Sequence, residues 1–208
     1  ASNSYSSSGL NPNMTYYWHV NAVTPCGASG FTTTFSFTTD GCVLYTAIDV
    51  PITISASGTP TITSTINVPT GGTINDVNVI DLFGTHTRIS DLVISLTSPL
   101  GTTVVLMDQI CLNQDNFDVD FDDESALSVL PCPPIDGNAY QPFGLLSDFD
   151  GENTSGNWVL TVSDVQNMQG GALQGWSLQL CVDPVSPCTD SDLPTVSGTS
   201  VICEGDNV

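Results

Sequence analysis

The stretches Trp158-Val-Leu-Thr-Val162 and Trp176-Ser-Leu-Gln-Leu180 decide the fold class. In each, a large apolar residue returns at every second position, which is the period of a strand that buries one face. Working outward, residues 61–68, 73–80, 92–96 and 103–106 read as short strands, with turn residues between the runs. No stretch carries an amphipathic helical period. The chain is therefore expected to be all-β, an antiparallel sandwich or jelly roll. Trp158 and Trp176 are expected in its core, not as a sugar platform.

Composition agrees, with 40% hydrophobic residues, 18 Gly and 13 Pro in 208 residues. This mixture favours strands and turns over helices. Arg88 faces 22 acidic residues, for a net charge of −21. Such a surface repels phosphate backbones and anionic lipid heads, which argues against nucleic-acid and membrane-surface binding. No run approaches the roughly 18 to 20 apolar residues of a bilayer span, so no membrane insertion is expected. The first residues lack the pattern of a signal peptide, so an export signal is expected outside this sequence.

Seven cysteines, Cys26, Cys42, Cys111, Cys132, Cys181, Cys188 and Cys203, form no CxxC pair. Zinc-site and thioredoxin-like spacings are thus absent, and disulfides in an oxidising compartment are expected. Cys42 opens the central block of strands and Cys181 closes it, so the two are expected to pair. Cys111 and Cys132 bracket an acidic loop and form the second expected pair. The odd count leaves a thiol from Cys26, Cys188 or Cys203 for a partner elsewhere.

Nucleophilic hydrolysis needs a base and an orienting acid, and the histidines are His19 and His86. His19 reads as a surface or edge residue; His86 and Asp91 are expected to fix a loop by hydrogen bonds. There is no Gly-x-Ser-x-Gly elbow and no aspartic-protease triplet. Paired carboxylates are abundant, but no glycosidase module accompanies them. The chain is expected not to be an enzyme.

Two acidic clusters are candidate Ca²⁺ sites, since hard oxygen ligands suit that ion and crowded carboxylates repel without one. Asp115-Asn-Phe-Asp-Val-Asp-Phe-Asp-Asp-Glu124 puts Asp118, Asp120 and Asp122 on one side if extended, with Asp123 and Asp108 as further ligands. Asp148-Phe-Asp-Gly-Glu152 offers Asp150 and Glu152, with Gly151 permitting a sharp turn. It lacks the first acid and closing Glu of an EF-hand. The competing reading of both clusters is a solvated acidic loop. Asn13-Met-Thr15 and Asn153-Thr-Ser155 are glycosylation sequons that matter only in a eukaryotic secretory pathway.

Three resemblances order these segments. Thr15-Tyr-Tyr-Trp-His-Val-Asn-Ala22 followed by Phe31-Thr-Thr-Thr-Phe-Ser-Phe-Thr38 resembles the closing strands of a fibronectin type III domain. Thr85-His-Thr-Arg-Ile-Ser-Asp-Leu92, Leu96-Thr-Ser-Pro-Leu-Gly-Thr102 and Pro142-Phe-Gly-Leu-Leu-Ser-Asp-Phe-Asp-Gly-Glu152 come next. With Gly156-Asn-Trp-Val-Leu-Thr-Val-Ser-Asp164 and Gly171-Ala-Leu-Gln-Gly-Trp-Ser-Leu-Gln-Leu180, they resemble the P domain (homoB domain) that follows the catalytic domain of proprotein convertases and many bacterial subtilisin-like proteases. That resemblance implies a galactose-binding-like jelly roll. The loop holding Cys111 and Cys132 departs from the convertases, so their cysteine pairing does not carry over. Val196-Ser-Gly-Thr-Ser-Val-Ile-Cys-Glu-Gly-Asp206 resembles the first strand of an immunoglobulin-like repeat.

The expected domains are thus 1–40, the end of a fibronectin type III-like module; 41–183, the P-domain-like sandwich; and 184–208, a linker and first immunoglobulin-like strand. The expected function is a non-catalytic structural or adhesive module of a secreted or cell-surface protein. Its expected partners are neighbouring domains or copies of the same protein, joined by strand addition and able to build a fibre. The rivals are the accessory P domain of a secreted subtilisin-like protease and a carbohydrate-binding module.

Overall fold

The computed structural model describes residues 14–21, 23–24, 27–38 and 41–182. Cys26, Cys188, Cys203 and the expected immunoglobulin-like strand lie outside them. Near the start, β1 (Thr15–Trp18) pairs antiparallel with β4 (Phe35–Thr38), and β2 (Val23–Thr24) pairs with β3 (Gly27–Ala28). The β1/β4 ladder stacks Tyr16 on Phe37 and Trp18 on Phe35, with ring centroids 5.8 and 4.8 Å apart.

The ten strands that follow are β5 (Cys42–Thr46), β6 (Ile52–Ile54), β7 (Thr61–Val68), β8 (Ile74–His86) and β9 (Leu92–Thr97), then β10 (Thr103–Asp108), β11 (Phe117–Phe121), β12 (Ala139–Tyr140), β13 (Gly156–Asp164) and β14 (Gly171–Val182). They make two sheets. The smaller has the order β10-β9-β13-β7; the larger has the order β12-β11-β8-β14-β5, with β6 also on β14. The fold class is all-β, as the two-residue period predicts. The chain passes between the sheets at β6–β7, β7–β8, β8–β9, β10–β11, β12–β13 and β13–β14, and so closes a sandwich.

The alternating apolar residues meet between the sheets. Trp158, Leu160 and Val162 of β13 are fully buried, as are Val79 and Leu82 of β8 and Leu178 of β14. Burial of each large side chain contributes roughly 1.5–3 kcal/mol. Both core tryptophans keep their N–H groups satisfied: Trp176 Nε1 donates to Ser64 Oγ at 2.7 Å and Trp158 Nε1 to the Thr154 carbonyl at 2.9 Å. The first bond ties the larger sheet to the smaller through the core.

Disulfides join Cys42 to Cys181 and Cys111 to Cys132. Cys42 and Cys181 are directly opposed on the paired strands β5 and β14. The second bridge ties the segment between β10 and β11 to the segment between β11 and β12, so that β11 lies within the closed loop.

Candidate functional site

The outward side of the larger sheet gathers most of the chemistry that the sandwich presents to solvent. On β11, Phe117, Val119 and Phe121 point into the core, so Asp118 and Asp120 point out. On β8, Val77, Val79 and Leu82 point in, and Asp76, Asn78 and Phe83 point out. A bulge resets the alternation between these two groups. Asp81 takes a left-handed φ of 52°, and Asp120 Oδ1 accepts its N–H at 2.6 Å. One carboxylate thus holds another residue's backbone in the conformation that keeps both on the same side.

Phe121 is opposite Val79, so Asp122, one residue on, stands across from Asn78. Asp122 Oδ1 accepts the Glu124 N–H at 2.7 Å and so folds the chain back over the end of the sheet. Asn78 Nδ2 donates to Asp76 Oδ2 at 3.0 Å and to Gln179 Oε1 at 3.2 Å. Asn78 is only 8% exposed, and its Oδ1 is buried without a hydrogen-bond partner. Asp76 Oδ2 also lies 3.3 Å from Cys181 Sγ, a contact without a proton because that sulfur is oxidised.

Three carboxyls here, those of Asp76, Asp120 and Glu124, are held above their ordinary range. For Asp76, burial is the main cause, followed by the neighbouring charges of Asp122 and Asp150. For Asp120, burial again leads, with the charges of Asp81 and Asp118 adding to it. Glu124 is raised first by its contact with the Asp122 carboxylate, then by burial and by Asp76. Beside this acidic end, a shallow depression of about 500 Å³ is lined by Leu44, Thr46, Asp81, Phe83, Asp118 and Gln174. Phe83 lies over Gly175, where a side chain would collide with its ring.

The expected metal ligands are distributed over several elements. Asp118, Asp120 and Asp122 share the outward side of the larger sheet. Asp123 turns to the 3-10 turn Leu146–Phe149, accepting the Leu146 and Ser147 N–H groups at 3.0 and 2.8 Å. Glu152 accepts the Thr102 hydroxyl, and its other carboxylate oxygen is buried without a partner. Asp108 ends β10 in the smaller sheet; Asp150 is exposed. Among the described residues, no three His, Cys, Asp or Glu side chains stand close enough to hold one metal ion.

His86 and Asp91 fix a corner through polar contacts, each with its own partner. His86 is buried and its Nε2 donates to Asp164 Oδ2 at 3.2 Å, while its Nδ1 lies 2.8 Å from the Arg88 carbonyl oxygen. Asp91 instead pairs with Arg88 Nε at 3.4 Å. The sequence reading missed Asp164, which lies 78 residues from His86. It also passed over Asp76 and Asn78, although their spacing by two in the 73–80 strand was signal enough.

The profile of the proprotein convertase P-domain family matches residues 76–180, half of the chain, from β8 into β14 of the sandwich. The chain belongs to that family. The P domain here is also similar to the serine protease of Aeromonas sobria, at 19% identity over 79% of this chain and 36% of that one, with a TM-score of 0.43. A second structure, of that organism's serine protease in complex with the chaperone ORF2, matches at 22% identity over 68% of this chain and 27% of that one, also with a TM-score of 0.43. The chain therefore corresponds to little more than a third of those structures at most. No curated protein matches it. No helix among the described residues is long and apolar enough to cross a membrane.

Proposed function

We propose that this chain is a non-catalytic structural and adhesive module of a secreted or cell-surface multidomain protein, with the P domain at its centre. What supports this is the position of the Cys42–Cys181 bridge. It joins the first and last long partners of the larger sheet where the chain enters and leaves the sandwich. Tension applied along the chain from before Cys42 to beyond Cys181 passes through the covalent bridge and leaves the 139-residue loop unloaded. A link in a linear surface protein needs that property. Both disulfides suit an oxidising compartment.

The β1/β4 ribbon belongs to this reading as the closing hairpin of a fibronectin type III-like module, and residues 184–208 as a linker leading into an immunoglobulin-like one. Calcium bound to the acidic segments 115–124 and 148–152 is part of it too, and excess chelator should then lower the melting temperature by several degrees.

Single-molecule stretching of the chain between handles at its two ends tests the main reading. With the bridge intact, the sandwich should not lengthen. After reduction, unfolding should release an extra length on the order of 500 Å. Stepwise release of that length without reductant would refute the load-bypassing role.

Family membership favours a second reading, the accessory domain of a secreted serine protease. Assay of the native full-length polypeptide for peptide hydrolysis sensitive to a serine-directed inhibitor separates the two.

A further inference from the structure

A strand that ends a sheet offers a row of unpaired N–H and C=O groups, and folded proteins normally cover such edges. The strands that end the two sheets here are β10, β7, β12 and β5. β10 is closed by Phe143 and Gly144, whose N–H groups donate to the Leu106 and Val105 carbonyls at 3.0 and 2.7 Å. On β12, the Ala139 carbonyl accepts the Ser125 hydroxyl, and the Gln141 N–H just beyond donates to the Leu127 carbonyl. On β7, the Asp49 carboxylate accepts the Thr65 N–H at 2.8 Å and the Ser64 hydroxyl. Among the described residues, β5 has no such cover. The Gly41 carbonyl accepts the Val182 N–H and the Ala47 N–H donates to the Trp176 carbonyl, so the odd-numbered residues here bond to β14. Cys42, Leu44 and Thr46 therefore turn their backbone groups to the open side.

We propose that β5 is the docking edge for a second copy of this chain, pairing antiparallel with the same strand about a twofold axis at Leu44 and joining the two larger sheets into one. In that register Leu44 of one copy opposes Leu44 of the other, and Cys42 opposes Thr46. These residues exchange about six backbone hydrogen bonds. Val43 opposes Tyr45 on both sides of the axis, at the positions without hydrogen bonds, where side chains stand closest. An aromatic against a β-branched residue is a favourable cross-strand pair. Val43 and Tyr45 are half-buried in the single chain, and Leu44 is 52% exposed. The joint covers what the sandwich leaves open on all three.

The distribution of charge selects the occupant. The chain carries 22 acids, yet β5 and its neighbour β14 carry none. In the larger sheet the acids nearest to this edge, Asp76 and Asp81, lie on β8, the third strand in. In the joined sheet the two β8 strands stand about five strand spacings apart, roughly 24 Å. That is about three Debye lengths at physiological salt, so the acidic rows of the two copies are screened from each other. The other edges would bring acids to the joint: Asp49 on β7, Asp108 at the end of β10, and Asp118 and Asp120 beside β12. A basic strand of another protein gains nothing at β5, because it meets no carboxylate on β5 or β14. The inference names a partner for the adhesive reading above, and its test is separate from the stretching experiment.

The test is sedimentation velocity of the whole 208-residue chain at moderate salt, with free thiols alkylated so that no new disulfide joins two copies. A reversible monomer–dimer equilibrium between about 10 µM and 1 mM is expected, weak because the strand is short. Leu44→Pro removes an N–H that faces the open side, so the ladder with β14 stays intact while dimerisation weakens at least about tenfold. Val129→Ser removes an equally exposed apolar side chain elsewhere, and should leave dimerisation within about twofold. Hydrogen exchange followed by NMR on the unmodified sequence keeps the test open if Leu44→Pro does not fold. The Cys42, Leu44 and Thr46 amides should gain protection as the concentration rises. A monomer throughout this range would overturn the docking edge and leave the load-bypassing role standing. Dimers that leave those amides unprotected, or that Val129→Ser weakens equally, would place the contact elsewhere and overturn it too. Full protection at the lowest concentration would mean that a segment of the same chain covers β5.

Discussion

The two sheets of this sandwich turn very different surfaces outward. On the smaller sheet, the outward positions of β7 and β13 are Thr61, Thr63, Thr65 and Asn67 against Asn157, Val159, Thr161 and Ser163. Neutral groups there satisfy one another across strands: Asn67 Nδ2 donates to Asn157 Oδ1 at 2.8 Å, and Thr61 Oγ1 to Ser163 Oγ at 3.2 Å. Asp108, at the end of β10, is the acid on that sheet's β10 edge. The larger sheet carries Asp76, Asp81, Asp118 and Asp120, with Asp122 and Glu124 at its margin. Both surfaces come from the same alternating pattern and both are polar, yet only one of them is short of partners. A neutral hydroxyl ladder closes its own hydrogen bonds, whereas a carboxylate ladder has only acceptors and must find donors or cations elsewhere.

The largest effect should come from the covalent staple, which lies on the acidic side alone. Replacing Cys42 and Cys181 together by Ser should cost about 5 kcal/mol, because the closed loop is long. Urea unfolding measures it, and a loss below about 1 kcal/mol would mean that the ladder pairing of β5 and β14 suffices.

Moving the acidic character to the neutral sheet should cost less. Thr63 and Thr161 are directly opposed, so Thr63→Asp with Thr161→Asp puts two carboxylates face to face. A loss of about 1 kcal/mol is expected at low salt and should shrink at high salt. Unchanged stability at both salts would show that like charges on this sandwich do not matter.

The pH dependence follows from the raised carboxyls. Asp76, Asp120 and Glu124 bind protons more tightly in the folded than in the unfolded chain, so their charged forms cost stability at neutral pH. That cost is relieved as pH falls through their raised values and is gone below the ordinary values of 3.8 and 4.5. Asp136 runs the other way, lowered chiefly by the Tyr140 hydroxyl; its contribution is lost as pH falls below 3.8. The melting temperature should therefore rise from pH 7 toward about pH 3.8 and then fall. Asp120→Asn should raise it at pH 7 by on the order of 1–3 °C, a modest figure because the group is only partly buried. A melting temperature that falls steadily from pH 7 would contradict this.

The smallest effect belongs to the neutral side. Thr97→Val removes the hydroxyl contact with Thr103 at 2.9 Å, and stability should stay within about 0.5 kcal/mol of the parent.

Much of this was legible in the residues themselves. The pairing of Cys42 with Cys181 followed the ends of the strand-rich block, and the structure joins them. The alternation of Phe117, Val119 and Phe121 put Asp118 and Asp120 on one side, where they stand. Less legible was the run 73–86, read as a strand to residue 80 and then a separate motif. It is one strand, continued through the left-handed bulge at Asp81. Nothing local marks that bulge, because the carboxylate that stabilises it comes from Asp120 on another strand.

The sequence by itself determined the all-β class, the long core strands and the inward side of each, because these depend on a two-residue period. Only the tertiary structure decided which carboxylates became neighbours. Asp76 meets Asp122 and Asp150, His86 meets Asp164, and Asp123 caps a turn more than twenty residues away. Those pairs depend on the order of strands in the sheets and on their register. Both are settled by which apolar sides fit together in the core, a property of the whole chain that no single stretch contains.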